Sequence, residues 1–224
     1  MFRTFRFVLL LAVLLMPAVT LVAQNGFIEY LEGDVTLQRS GNRITPDFGD
    51  ELQQGDVLVT GGDGLVIINI DDRGQVKLLP DTELILDSIQ DDISVELKRG
   101  GVFSRLHRLG GKEFDLRAGS MVAGVRGTEF FTLFGKQVED EPDVWLCVNE
   151  GVVGVSVPQV DPSGETLVRE GEGINILAGK TITDPRFYEW TTELNWNMDP
   201  QAGSVADDTS AEALYDDLLD IDYD

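Results

Sequence analysis

One cysteine and one histidine in 224 residues remove whole classes of protein. Cys147 alone can form no internal disulfide, so the fold must rest on its own packing, and no paired-cysteine metal or redox motif exists. His107, in "FSRLHRLGG", has no second histidine to share a metal and no nucleophile motif beside it. The chain also lacks G-x-S-x-G, H-E-x-x-H and a phosphate-cradling G-x-x-x-x-G-K-[ST]. The reading is therefore non-enzymatic, with no cofactor and no metal. The remaining catalytic option is a carboxylate pair of the glycoside-hydrolase kind, but chance proximity is expected among 40 acids. Cations are scarce too. Seventeen Lys and Arg against 40 Asp and Glu give a net charge of −23, which excludes the basic surface that nucleic acid or an anionic membrane face requires.

Long apolar runs are also absent. The single candidate, Phe7–Met16, follows Arg3 and Arg6 and leads through Pro17 to a small-residue end at Ala23. A charged start, an apolar centre and a small-residue end form the pattern of an export signal, here 1–23. Ten apolar residues fall short of the ~20 that span a bilayer, so the expectation is cleavage after Ala23, an envelope or extracellular location and no stable membrane span. The alternative is an uncleaved anchor. Cleavage would remove two of the 17 cations and no acid, leaving 15 against 40 and a net charge of −25.

What is abundant is β-pattern. From 24 to 183 short runs rich in Val, Ile, Leu and Phe alternate with Gly, Asp, Asn and Pro clusters, as in "DVLVT", "GLVIINI", "SVELK", "GVFSRL" and "VWLCVN". "NIDDRGQVK" reads as a hairpin, and Cys147 as a buried thiol. An apolar residue, a glycine three positions on and another apolar residue two further recur around Gly33, Gly55, Gly100, Gly119 and Gly151, with a weaker copy at Gly179. Glycine inside a strand pattern marks a bend or close approach. The pattern predicts an all-β fold: a compact roll or solenoid-like sandwich of short strands with glycine corners.

After Thr183 the character changes. Asp184 and Pro185 suit a helix start, and Phe187, Trp190 and Leu194 follow at helical spacing, predicting a short amphipathic helix over 184–200. This stripe either covers the β-core or, with Trp196, forms a contact for a partner. Residues 201–224, with eight acids in the last twenty, read as a disordered acidic tail whose leucines could fold on contact.

Three local features remain. Lys98, Arg99, Arg105, Arg108, Lys112, Arg117 and Arg126 crowd into 29 residues. On one face they would bind an acidic partner, a polysaccharide or the tail; split by strand alternation they would pair with nearby acids. The acid pairs at 71–72 and 91–92 and "EDEPD" at 139–143 offer oxygen ligands, but none has the spacing of a calcium loop. Finally, "MVAGVRGTEFFTLF" sets Arg126 and Glu129 either side of Gly127. The expectation is a corner held by an Arg126–Glu129 ion pair, which fixes geometry more than it adds stability.

Taken in order, Gly55-Asp56 with Thr60-Gly61, the "DRGQVKLLPDT" hairpin and Val125-Arg126-Gly127-Thr128-Glu129-Phe130 resemble the FecR domain family over about 52–157. The resemblance implies an exported all-β module. In well-known members this is the periplasmic half of a membrane-spanning regulator that senses a receptor and controls a sigma factor. Here six residues precede the apolar run, so the anti-sigma activity is not expected to carry over. The expected function is a non-catalytic binding or scaffolding module of the cell envelope. Accessory signalling and polysaccharide or peptidoglycan binding are the alternatives, and an envelope protein is the expected partner.

Overall fold

Alternating apolar runs broken by glycine and aspartate fold as strands along nearly the whole length of the computed structural model. It describes residues 26–70, 73–89, 92–107, 113–125, 127–137 and 142–207. The expected signal at 1–23 and the tail beyond 207 lie outside the described residues. The strands are β1 (Phe27–Glu32), β2 (Val35–Arg39), β3 (Asn42–Ile44), β4 (Val57–Thr60), β5 (Leu65–Asn69), β6 (Gly74–Leu78), β7 (Glu83–Ile89), β8 (Ile93–Leu106) and β9 (Phe114–Ala118). They continue as β10 (Met121–Val125), β11 (Glu129–Gln137), β12 (Pro142–Glu150), β13 (Val152–Ser156), β14 (Thr166–Arg169), β15 (Glu172–Leu177), β16 (Thr181–Ile182) and β17 (Arg186–Phe187).

Hydrogen-bonded pairs arrange these into two layers of an open sandwich. The first runs β1-β5-β6-β8-β11-β12-β15, with β16 and β17 both paired to the far side of β15. The second runs β3-β2-β4-β7-β8-β9-β10-β13-β14. Every pair is antiparallel except β8 with β9. β8 belongs to both layers. Its first half pairs with β7 and β9 and its second with β6 and β11. The sequence runs "SVELK" and "GVFSRL" are thus one strand of 14 residues.

The change of layer happens at Gly100, whose φ of +85° is the left-handed conformation that glycine adopts without steric cost. A Cβ there would also stand 2.3 Å from Thr82 Oγ1. At Gly33, between β1 in one layer and β2 in the other, a Cβ would meet the Asp63 carbonyl oxygen at 2.0 Å. All six glycines of the recurring sequence pattern have positive φ, so the pattern reads bends as expected. The "DRG" hairpin joins β5 to β6, also as expected.

Between the layers lies the larger core, built by alternate residues such as Ile28, Leu58, Val66, Ile68, Leu84, Leu97, Phe130 and Leu146. A second core covers the outer face of the first layer. There Leu65, Ile67, Phe103, Phe131, Trp145 and Cys147 meet Tyr188, Leu194, Met198 and Val205 from the C-terminal segment. Burial on both faces explains why β5, β11 and β12 read as continuous apolar runs, where one-sided antiparallel strands would alternate.

The helix expected over 184–200 is not formed. Arg186 and Phe187 pair with β15, and a single turn of 3-10 helix over Glu189–Thr192 follows. An α-helix would bind the carbonyls of Asn195 and Asn197 to amides four residues on. Instead Lys77 Nζ donates to both, at 2.6 and 3.1 Å, and to the Val205 carbonyl at 3.2 Å. Residues 201–207, assigned to the tail on composition, are part of this strap: Val205 is buried, and the Asn195 amide donates to Asp207 Oδ2 at 2.9 Å.

Candidate functional site

Each of the motifs quoted above builds a corner. Asp56 is fully buried, its carboxylate gripped by Arg39 of β2 through Nε at 2.8 Å and Nη2 at 2.6 Å while accepting from the Gln53 amide at 2.8 Å. Thr60 Oγ1 donates to the Leu79 carbonyl at 2.6 Å and accepts from the Thr82 amide at 2.9 Å. The Gly101 amide in turn donates to Thr82 Oγ1 at 3.0 Å. The "GD…TG" and "PDT" steps therefore meet where β4, β6, β7 and β8 change layers.

The corner of residues 125–130 carries the chain from β10 in the second layer to β11 in the first. Val125 and Phe130 are buried, and Gly127 has a φ of +83°. Glu129, 7% exposed, has both oxygens engaged. Arg105 Nε donates to Oε1 at 2.7 Å, and Asn149 Nδ2 donates to Oε2 at 2.6 Å. Among the described residues the cation holding Glu129 is Arg105, directly opposite it in the β11–β8 register, where sequence spacing predicts Arg126. Arg126 itself lies outside the described residues. Arg105 also donates from Nη2 to the Trp196 carbonyl at 2.7 Å, tying the corner to the strap.

The other side of this corner opens on a groove. Val125, Gly127 and Thr128 line one end of a cavity of about 790 Å3 on the outer face of the second layer. Its floor is a cross-strand row, Asp115, Gly124, Gly154 and Leu167, contributed in turn by β9, β10, β13 and β14. Neither Gly124 nor Gly154 has a positive φ, so backbone conformation does not account for glycine there. A Cβ on Gly154 would stand 2.2 Å from Glu165 Oε1, the end of a flexible side chain that lies over that glycine, and one on Gly124 would stand at ordinary contact distance, 3.6 Å, from Asp115 Oδ1. Both carboxylates thus reach over a floor without side chains, and Glu113 stands at the rim. Burial pushes the Asp115 carboxyl above its usual range; Glu113 and Asp92 add to this and Arg117 opposes it. Thr128 is 4% exposed and its hydroxyl has no hydrogen-bond partner.

The partner stripe divides. Leu194 is buried and the Trp196 ring meets Phe103 edge-on with centroids 5.0 Å apart, so both serve the chain's own sheet. Phe187 is 67% exposed, and the Trp190 side chain lies outside the described residues. The basic stretch also divides. Lys98 pairs with Glu96 at 2.6 Å, Arg99 with Glu83 at 3.6 Å, Arg105 with Glu129 and Arg117 with Asp87. Arg108 and Lys112 lie outside the described residues. So do residues 71–72, 91 and 139–141 of the acidic clusters; among the described residues no group of three His, Cys, Asp or Glu could hold a metal ion. His107 is exposed. Cys147 is fully buried, which pushes its thiol pKa up.

Two features escaped the sequence reading. One is Lys77, fully buried under the strap with its ammonium 4.2 Å from the Phe103 ring centroid. Burial lowers its pKa to about 8, opposed in part by Asp207. The signal available was that "VKLL" and "FFTLF" belong to sheets whose outer face must also be covered. The other is the groove, signalled by two glycines in strand interiors without positive φ: Gly154, and Gly124, which the sequence reading takes to bracket a bend with Gly127 but which lies inside β10.

Residues 56–154 match the family described as FecR protein. Two crystal structures, each described as a candidate anti-sigma factor from Parabacteroides distasonis ATCC 8503, are similar in fold. One is 21% identical, with a TM-score of 0.47 over 58% of this chain and 57% of that one. The other is 18% identical, with a TM-score of 0.49 over 72% of this chain and 88% of that one. No curated protein matches the chain. Among the described residues no helix is long and apolar enough to cross a membrane.

Proposed function

We propose that this chain, whose residues 56–154 match the family described as FecR protein, is a non-catalytic protein-binding module of envelope signal transduction, carried out of the cytoplasm by residues 1–23. The observation that carries the reading is the double use of the 125–130 corner. Its inner side, Glu129 with Arg105 and Asn149, fixes the strand crossing. Its outer side, Val125, Gly127 and Thr128, walls a groove of ligand-binding size. A motif used only for folding would leave no reason for the bare floor beside it. Polysaccharide binding fits less well. Among the described residues the groove is lined by no aromatic side chain on which a sugar ring could stack, and the described members of the basic stretch are paired.

Photo-crosslinking from the groove in the native envelope tests this. A benzoylphenylalanine in place of Val152 or Leu167, each 44% exposed in the groove, is expected to give one discrete protein adduct. The same group at Val160, 56% exposed and outside the groove, is the control. Equal labelling from all three positions, or retention on cell-wall material without a protein adduct, would refute the reading.

A further inference from the structure

The groove also indicates the chemistry of what it holds. Its floor is bare at Gly124 and Gly154, opposite one another in the β10–β13 register. Glycine in a strand interior loses packing and chain entropy, and these two lack the positive φ that would otherwise demand it. The lost side chains leave a trough with two carboxylates on it, Asp115 beside Gly124 and Glu165 lying over Gly154. Neither forms an ion pair among the described residues, and Arg117, the cation nearest in sequence to Asp115, is engaged by Asp87. Asp115 is partly desolvated, which disfavours its charged form, and Arg117 offsets this only in part. At the end of the trough stands Thr128, a lining residue more than nine-tenths buried whose hydroxyl has no hydrogen-bond partner. Val152 and Leu167 supply exposed apolar surface beside the acids.

We infer that the groove receives a lysine or arginine side chain presented by an extended segment of a partner protein. The cation would lie on the glycine floor between Asp115 and Glu165, and the segment's apolar atoms would rest on Val152 and Leu167. This rests on the protein-binding reading above and gives it a chemistry. A second copy of the chain suits the groove poorly, because the chain is strongly acidic overall and like charge repels. A sugar finds no aromatic platform there.

The test is fluorescence anisotropy on the full chain, with a fluorescein-labelled peptide of about seven alternating glycine and lysine residues, a length set by strand geometry. The peptide is expected to bind, and its glycine–glutamate counterpart is not. Asp115→Asn with Glu165→Gln should weaken binding tenfold or more. Gly154→Val, which keeps every charge and fills the floor, should do the same. Glu51→Gln with Glu193→Gln, a charge-matched change away from the groove, should leave affinity within twofold. Unchanged binding by Gly154→Val, or equal losses in both charge pairs, would show that net charge alone holds the peptide and would overturn the inference. So would a cell-wall oligosaccharide that binds wild type and is lost in Gly154→Val. If Gly154→Val fails to fold, the two charge pairs decide between the same outcomes. A protein adduct from Val152 without peptide binding would overturn the cationic assignment and leave the protein-binding reading standing.

Discussion

Arg105→Ala separates the observed corner from the one that sequence spacing predicts. In the intact protein a single guanidinium holds Glu129 Oε1 and the Trp196 carbonyl, each at 2.7 Å. The Glu129 side chain is 9% exposed and the Arg105 side chain 33%. Removing the cation leaves a buried carboxylate with Asn149 as its remaining hydrogen-bond partner among the described residues. Stranding one member of a fully buried pair costs about 3–5 kcal/mol. Because a third of Arg105 already meets water, solvent screening lowers the expected loss to about 2–3 kcal/mol. At about 2–4 °C per kcal/mol for a chain of this size, the midpoint should fall by roughly 4–12 °C. Thermal melts followed by circular dichroism give the midpoint, and hydrogen exchange at 195–198 reports the strap, whose Trp196 carbonyl loses its donor. Adding Glu129→Gln to Arg105→Ala should recover part of the loss, since the stranded charge disappears. Arg126→Ala should cost less than Arg105→Ala, because both Glu129 oxygens are already engaged. A fall of under about 2 °C in Arg105→Ala, or strictly additive effects of the two substitutions, would refute the reasoning.

Lys77 makes stability depend on pH in an unusual direction. Its folded pKa of about 8 lies below the ordinary 10.5, so between these values the unfolded chain binds more protons and stability rises with pH. Urea unfolding from pH 8 to 10.5 should show this gain, and Lys77→Met should flatten it while loosening the strap. Gly100→Ala places a Cβ 2.3 Å from Thr82 Oγ1 at a φ of +85° and should cost about 2–4 kcal/mol in denaturant unfolding. Cys147 should resist a thiol reagent in the folded protein and react at once in denaturant, since burial raises its pKa and shields it. N-terminal sequencing of exported material should begin at Gln24; a start at Met1 would refute cleavage.

The fold was legible where one residue decides one conformation. Gly33, Gly100 and Gly151 announced bends because few other residues accept positive φ, and Cys147 announced burial by its apolar neighbours. Partner choice was not legible. Glu129 meets Arg105 because register sets strand β11 against β8, 24 positions away in sequence, a pairing that spacing along the chain does not reveal. The C-terminal strap misled for a related reason. Phe187, Trp190 and Leu194 fit helical spacing, but the backbone between them is claimed by β15 and by Lys77. Lys77 itself looked like a solvent-facing residue, since alternation gives the face and not what covers it. The groove was half legible: Gly124 and Gly154 were visible, but not that they face each other.

The strand common to both layers has a mechanical consequence. A ribbon that enters one sheet and leaves through the other works like a rivet, since sliding the sheets past each other would rupture its ladders on either side of Gly100. The sandwich therefore has no shear plane, and any docking event is felt either by the whole body at once or by the strap that Arg105 and Lys77 fasten to it.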